Sequence, residues 1–290
     1  MAIVYLNGSY INSAEAMISV NDRGFLFGDG VYEVTRAIRG KLIEEDTHWN
    51  RLQNGLRELQ LPPDVIGRSR FAEISARLLG EAGYNRGDAT VYLQITRGAA
   101  PRSHAFPVPA ATPTVYAFAS PFTIPVEQRI KGVAAITIPD IRWSRCDIKT
   151  IQLLPNALAK QQALDAGAYD VVMIRDGVFT EASAANVFGV IDGELRTFPL
   201  SPYILPGVTR ALVIRLAGEL GILVREAPIA ADQRQTLQEL FLTGTTTDVQ
   251  PVVELDGRPV GNGRTGPVTR KLQRAVMDVL GLEMWKEPEE

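Results

Sequence analysis

Lysine in a run of aliphatic side chains is chemically conspicuous, because desolvating an ammonium is costly and often lowers its pKa. Lys149 stands in such a run, with Ile148, Ile151, Leu153 and Leu154 around it, inside the stretch RCDIKTIQLLPNALAKQQALDAG of residues 145–167. The segment reads as a buried strand end. Pro155 and Asn156 then open a helix with Ala157, Leu158, Gln161 and Leu164 at helical spacing. A neutral amine in a dry pocket is a nucleophile suited to a Schiff base with a carbonyl. The plain alternative is a lysine whose stem lies on apolar surface while its head reaches water.

Other stretches offer such an amine something to work with. Leu205-Pro206-Gly207-Val208-Thr209 leads into an amphipathic helix ending near Leu220. A glycine and a threonine at a helix start are either an ordinary N-cap or an anion site, since backbone N–H groups and the helix dipole point there. FLTGTTTD, at 241–248, ends a strand in hydroxyls and a glycine, a second place to cradle a phosphate. Arg102 and His104 flank Ser103 in Gly98–Pro113, a long irregular segment that its prolines and Phe106 mark as ordered and functional rather than disordered. His48 and Arg51 are three apart on a helix capped by Asp46 or Thr47, on a different side from Trp49, Leu52, Leu56 and Leu59. On those grounds alone they belong to a solvated face.

The elements that must position these groups alternate in type. Ala2–Leu6 and Tyr10–Ile11 flank the turn Asn7-Gly8, with Met17–Val20 as a further strand. DRGFLFGDGVYEV, at 22–34, reads as a glycine-rich loop running into a strand at Tyr32-Glu33. Val31–Ile38 and Lys41–Glu44 form a second hairpin, and Arg68–Glu81 is a helix with Phe71, Ile74, Leu78 and Leu79 inward. Ala89–Thr96 alternates apolar and polar residues, the mark of a half-buried strand, and Thr114–Ala119 returns beside it. Ser120–Gln128, with two prolines, is the candidate linker. The resulting organisation is α/β (α+β): a domain at 1–119, a linker at 120–130 and a second domain at 131–290. That second half alternates strands and helices, from Gly132–Ile138 through Tyr169–Arg175, Val178–Glu181, Asn186–Ile191 and Glu194–Phe198 to a closing helix at Thr265–Leu280.

Composition narrows the function classes. The chain has 290 residues, 46% hydrophobic and 22% charged, which suits a globular protein with substantial cores. A net charge of −3 without a basic run argues against nucleic acid. One cysteine, Cys146, excludes an intrachain disulfide and fits a reducing compartment. With His48 and His104 the only histidines, a Cys/His zinc site is not expected, and no metal is assigned. No signal peptide and no membrane span is visible, so a cytoplasmic protein is expected.

Taken together, the motifs resemble the fold-type IV pyridoxal-phosphate (PLP) aminotransferases, and within them the D-amino-acid group. They are Asp22-Arg23-Gly24 with Phe27-Gly28-Asp29-Gly30-Val31-Tyr32-Glu33, His48-X-X-Arg51-Leu52, and Thr96-Arg97-Gly98 followed by Pro101-Arg102-Ser103-His104. Arg145-Cys146-Asp147-Ile148-Lys149 follows, with Leu153-Leu154 and Leu158-Ala159-Lys160-Gln161. Thr180-Glu181-Ala182-Ser183 with Asn186-Val187-Phe188, and Leu205 through Arg210, complete the set. The resemblance implies two domains, a small N-terminal α/β one and a larger, barrel-like C-terminal one. It makes Lys149 the Schiff-base lysine and proton shuttle, Glu181 the partner of the ring nitrogen, and Arg51 the phosphate clamp. Ser183, Leu205, Val208, Thr209 and Thr245 would complete the cofactor site. Tyr32, Arg102 and His104 would trap the substrate carboxylate, the latter two reaching a neighbouring subunit's site, so a homodimer is implied. The implied reaction moves an amino group from a D-amino acid to a 2-oxo acid. The alternatives are a branched-chain L-amino-acid or (R)-amine transaminase, an aminodeoxychorismate lyase, or a PLP carrier without catalysis. Ala184, Ala185 and Gly244 stand where serines are common in the group, which bears on the hydroxyl network around the cofactor ring.

Overall fold

Strand parity decides where the charged residues of the N-terminal half come to rest. The computed structural model describes residues 2–285 and divides the chain into two units. One holds the chain through Thr123 and takes back Ile148–Leu153; the other holds Ile124–Asp147 and resumes at Leu154. The Lys149 segment, placed by sequence in the second domain, therefore belongs with the first unit.

In the first unit, β1 (Ile3–Leu6) and β2 (Ser9–Asn12) form a hairpin. α1 (Arg23–Phe27) is a short helix inside the expected glycine loop, capped by the Asp22 side chain, which accepts from the Gly24 N–H at 2.7 Å. There follow β3 (Gly30–Ile38), β4 (Lys41–Leu42), α2 (Glu45–Glu58), α3 (Arg68–Glu81), β5 (Asp88–Thr96) and β6 (Thr114–Pro121). The strands form a six-stranded antiparallel sheet in the order β2-β1-β6-β5-β3-β4. As the alternation predicts, Ala89, Val91, Leu93 and Ile95 of β5 are fully buried, packed with Leu52 and Leu56 of α2 and Phe71, Ile74 and Leu78 of α3. Tyr92 and Gln94, on the opposite face of β5, stay half-buried.

Two local expectations fail here. Met17–Val20 forms no strand, and Met17, Ile18 and Val20 are exposed, because no neighbouring strand pairs with them. α2 starts at Glu45 after Glu44, which adopts a left-handed conformation and makes no side-chain cap bond. Asp46 lies in the first turn instead, where its charge favours the helix dipole.

The second unit contains α4 (Val126–Lys131), β7 (Val133–Pro139), α5 (Leu154–Asp165), β8 (Asp170–Arg175), β9 (Val178–Phe179), β10 (Asn186–Ile191) and β11 (Glu194–Thr197). It continues with α6 (Val208–Glu219), β12 (Val224–Glu226), a 3₁₀ turn at Ala231–Thr236, β13 (Glu239–Gly244), β14 (Asp248–Leu255), β15 (Arg258–Pro259) and α7 (Pro267–Leu280). A nine-stranded mixed sheet runs β12-β11-β10-β13-β14-β7-β8-β9, with β15 on β14. Of the three parallel pairs among the described residues, β7·β8 and β11·β12 are joined through a helix, α5 and α6, and β14·β7 brings together strands far apart in the chain. Phe179, Val187, Leu240, Leu242 and Val252 are among the core residues. α5 turns the expected face around. Leu158 is 57% and Leu164 55% exposed, while Ala159 and Ala163 are buried against Ile138, Val171 and Met173. Small residues let the helix approach the sheet closely, so alanines rather than leucines face inward. Leu153 and Leu154 are exposed as well, and the Lys149 segment is not a strand.

Candidate active site

The first unit fixes Lys149 through its backbone. Ile148 is buried in the core beside Val31, the Tyr32 N–H donates to the Lys149 carbonyl at 3.0 Å, and the Ile151 N–H donates to the Gly30 carbonyl at 3.2 Å. Gly30 permits close packing on both sides: a Cβ there would meet the Ile95 carbonyl oxygen of β5 at 2.6 Å and the Ile151 side chain at 3.2 Å. The Lys149 side chain is half-buried, with Nζ 4.1 Å from the centroid of the Tyr32 ring. Among the described residues it makes no hydrogen bond or ion pair. Tyr32 stacks on Tyr92 at 5.6 Å, and Tyr92 on Phe118 at 4.9 Å, so the amine stands at the end of an aromatic face.

Glu33 lies on the other side of β3, under α2, with its carboxylate in the interior. His48 Nδ1 lies 2.9 Å from Glu33 Oε1, and Arg51 donates Nε to Oε2 at 3.0 Å and Nη2 to Oε1 at 2.6 Å. His48 is only 3% exposed, so the solvated face assigned to His48 and Arg51 is wrong. A strand of period two delivers a carboxylate beneath the helix, and the i, i+3 pair turns inward to meet it. Burial acts to raise the Glu33 carboxyl, but the Arg51 and His48 interactions prevail and hold it far below the ordinary carboxylate range.

In the second unit, Glu181 is buried at the mouth of a polar network. The Leu205 N–H donates to its Oε2 at 3.0 Å, Asn186 Nδ2 donates at 3.2 Å, and Arg142 Nη1 donates to Oε1. Leu205 thus contributes its N–H rather than its side chain. Arg142 is fixed in turn by Asp140, to which it donates Nε at 2.9 Å and Nη2 at 2.7 Å. Burial pushes the Glu181 carboxyl upward, and Arg142 is the chief counterweight. Asp140 is held down at about 2, because Arg142 and Arg175 outweigh its burial. Ser183 is buried, with its N–H bonded to Asp170 at 3.1 Å and its carbonyl accepting from Asn156 at 2.7 Å.

The two stretches read as anion sites lie side by side in that unit. α6 begins at Val208 after Gly207, with no side-chain cap on its first N–H groups. A Cβ on Gly207 would collide with the Asn186 side-chain oxygen. Asn186 pairs with Thr243 across β10 and β13, and Thr243 leads into Gly244 and half-buried Thr245. The helix start with Val208 and Thr209 is therefore adjacent to the strand end that carries Thr245. Uncapped N–H groups beside threonine hydroxyls suit a phosphate.

Arg102 and His104 are exposed and lie against Phe27, Arg102 Cζ at 5.3 Å from its ring centroid and the His104 ring at 5.7 Å. Within the described residues no hydrogen bond or ring contact joins either of them to Tyr32. The backbone of their loop is held by Arg23, whose Nη1 donates to the Ser103 carbonyl at 2.5 Å and the Ala105 carbonyl at 3.3 Å. Arg23, Asp29, Arg97, Asp140 and Arg142 carry weight that motif spacing alone did not assign. The available signal was charge beside glycines for Arg23, Asp29 and Arg97, beside Trp143 for Arg142, and next to Pro139 at the end of an apolar strand for Asp140. No group of His, Cys, Asp and Glu side chains among the described residues could hold a metal ion.

A family model for class IV amino-transferases matches residues 30–255. The chain is 36% identical over 273 residues to a D-alanine aminotransferase of Staphylococcus aureus (strain COL), covering 94% of this chain and 96% of the relative. It is 38% identical over 276 residues to a D-alanine aminotransferase of Bacillus licheniformis, covering 95% and 96%. Its fold is also that of a T.th. branched-chain amino acid aminotransferase solved with pyridoxamine 5'-phosphate. The two superpose with a TM-score of 0.86 at 27% identity, over 97% and 95% of the two chains. The mixed α/β architecture read from the sequence is thus the one this family adopts. By the family match across most of its length and by relatives aligned along nearly all of it, this chain belongs to the class IV aminotransferases.

Proposed function

We propose that the chain is a PLP-dependent transaminase that takes the amino group of a D-amino acid such as D-alanine and passes it to 2-oxoglutarate or pyruvate. The observation that carries this reading is Lys149: a half-buried amine over Tyr32 with no ion-pair partner among the described residues. The names of the curated relatives supply the D-amino acid, and the loop bearing Arg102 and His104 supplies a carboxylate trap suited to it. Each unit offers groups that suit the cofactor: the first an amine, the second a buried carboxylate and the uncapped N–H groups of a helix start. When bound, PLP supplies an aldehyde that takes up the amino group and a ring that accepts the electron pair released at the substrate Cα.

Each residue then has a task in terms of its own chemistry. Lys149 removes the Cα proton and returns it. Glu181, whose carboxyl burial pushes up and Arg142 opposes, would hold a proton at the ring nitrogen, which preserves the electron sink. The Val208 and Thr209 N–H groups and Thr245 would hold the phosphate, as would Arg51, which Glu33 and His48 fix. Arg102, His104 and Tyr32 bind the α-carboxylate and thereby choose which Cα–H bond faces Lys149. Because Arg102 and His104 are exposed within one chain, the reading includes a homodimer in which they serve the neighbouring copy's site. The reading includes a cytoplasmic setting, which the lone, buried Cys146 fits.

D- and L-alanine, D- and L-glutamate, L-leucine and (R)-phenylethylamine, each offered with 2-oxoglutarate and with pyruvate, separate this reading from its rivals. Preference for L-leucine would make it a branched-chain enzyme, and turnover without any acceptor a lyase. Arg102→Leu reports on the trap. A charge-assisted hydrogen bond contributes roughly 1.5–3 kcal/mol, so kcat/KM for D-alanine should fall by about 10- to 150-fold. The amine should be spared; equal losses on both substrates would sink the carboxylate-trap assignment.

A further inference from the structure

The loop that carries Arg102 and His104 has neither helix nor strand, and its residues from Pro101 to Phe106 are exposed. A segment with so little packing loses order unless its backbone is bonded to something rigid. That something is a guanidinium. Arg23, 4% exposed, donates Nη1 to the carbonyls of Ser103 and Ala105 at 2.5 and 3.3 Å and Nη2 to that of His104 at 3.5 Å. Consecutive carbonyls thus converge on one cation. Arg97 closes the other end, with Cζ 3.6 Å from the centroid of the Phe106 ring and Nη2 donating to the Leu59 carbonyl at 2.6 Å.

Both guanidiniums share one anion. Asp29 Oδ2 accepts from Arg23 Nε at 2.7 Å and from Arg97 Nε at 2.8 Å, while its Oδ1 accepts from Arg97 Nη2 at 3.0 Å. We propose that Asp29 is a positioning residue for substrate binding: it aligns Arg23 and Arg97 so that they hold the loop in the shape that presents Arg102 and His104. The inference rests on the reading of those two residues as the carboxylate trap.

Three features favour positioning over simple support of the fold. Phe106, on which Arg97 lies, is outside the hydrophobic core of the unit and 48% exposed. The bonds from Arg23 go to the loop backbone, so they fix its shape whatever side chains it carries. The α1 turn that supplies Arg23 also supplies Phe27, against which Arg102 and His104 lie. Two buried guanidiniums without their shared carboxylate repel each other, and neither then keeps its aim.

Asp29→Asn preserves shape and removes the charge. In the holoenzyme, amide hydrogen exchange over residues 99–107 should rise at least tenfold, while amides of β3 and β5 keep their protection. KM for D-alanine should rise about tenfold, the equivalent of roughly 1.4 kcal/mol, with kcat within twofold of wild type. Arg23→Lys keeps a cation but cannot reach several carbonyls at once, so it should reproduce both effects and decides the matter if Asp29→Asn does not fold. Unchanged loop exchange, exchange raised equally in β3 and β5, or a loss falling on kcat overturns the positioning role. Arg102→Leu leaves the brace intact and separates the two layers of argument. If it raises KM while Asp29→Asn changes neither exchange nor KM, the positioning role alone is wrong. If it leaves KM for D-alanine unchanged, the trap itself is wrong and the role of Asp29 falls with it.

Discussion

Replacing Arg142 by Met tests the electrostatics of Glu181 without touching either carboxylate. The guanidinium is buried and serves two anions, donating Nε and Nη2 to Asp140 at 2.9 and 2.7 Å and Nη1 to Glu181. Methionine fills much of the same volume, so the cavity contribution stays small. Asp140 would keep the Arg175 ion pair at 3.2 Å and the Thr180 hydroxyl at 2.9 Å. Glu181 would keep only the Leu205 N–H and Asn186 Nδ2 of its present donors. Deleting one partner of a buried pair costs about 3–5 kcal/mol. At roughly 2–4 °C per kcal/mol for a domain of this size, the apo protein should melt about 6–20 °C lower at neutral pH. The pH dependence is the sharper test. Burial already lifts the folded-state pKa of Glu181, and losing Arg142 lifts it further. A group with a raised folded pKa contributes fully below its unfolded value, about 4.3, and loses that contribution as pH rises through the folded value. Asp140, held at about 2, is ionised throughout the range from pH 5 to pH 8 in the wild type and adds no slope there. The melting deficit of Arg142→Met should therefore grow from pH 5 to pH 8, read by calorimetry on the apo protein. A deficit below about 2 °C, or one independent of pH over that range, would refute the reasoning.

The remaining predictions address the other charged groups. Lys149→Ala should abolish borohydride-trapped cofactor and nearly all transamination, and trapping that persists rules out this lysine. Glu181→Gln should retain cofactor binding but lower kcat, since the charge that needs the sink develops in the transition state; an unchanged kcat counts against Glu181. Glu33→Gln should cost about 3–5 kcal/mol at pH 7, read by denaturant unfolding. The depressed carboxyl of Glu33 gives the opposite sign of pH dependence: its stabilisation is present above the unfolded pKa and lost on acidification, so the deficit should shrink as pH falls below about 4.

Where the sequence was legible, the information was local. β5 is read from its alternation, α3 from its apolar spacing, and the proposed roles of Lys149, Glu181 and the α6 start from motifs a few residues long. What escaped were partnerships between distant positions. Glu33 and His48 are 15 residues apart, and Arg23 and Ser103 are 80 apart. Nothing in a helical period says that the polar side of α2 faces a strand whose parity delivers a carboxylate. The face of α5 failed for a related reason. Its leucines dominate any count of hydrophobicity, but close approach to the sheet selects Ala159 and Ala163, so side-chain size outweighs apolar area.

The buried charges share one arrangement, seen separately in each unit. Two charged groups assigned to the chemistry are backed by a buried opposite charge, Arg51 by Glu33 and Glu181 by Arg142, and the backbone of the Arg102 and His104 loop is held by the Arg23–Asp29 pair. Buried ion pairs are poor sources of stability, because desolvation offsets most of their attraction, and apolar replacements are often as stable. Their persistence here is better explained by direction. A guanidinium bonded through two nitrogens to one carboxylate has little rotational freedom left, so the remainder of its donors point one way. An apolar core would hold the backbone of β3 or of the Glu181 segment in place but would leave the charged tips free to turn. Transamination requires a fixed anion at the ring nitrogen and a fixed cation at the phosphate, which a mobile tip cannot provide. On the proposed reading these buried polar groups serve the reaction, and of them only His48 and Arg51 look solvated from helical spacing alone.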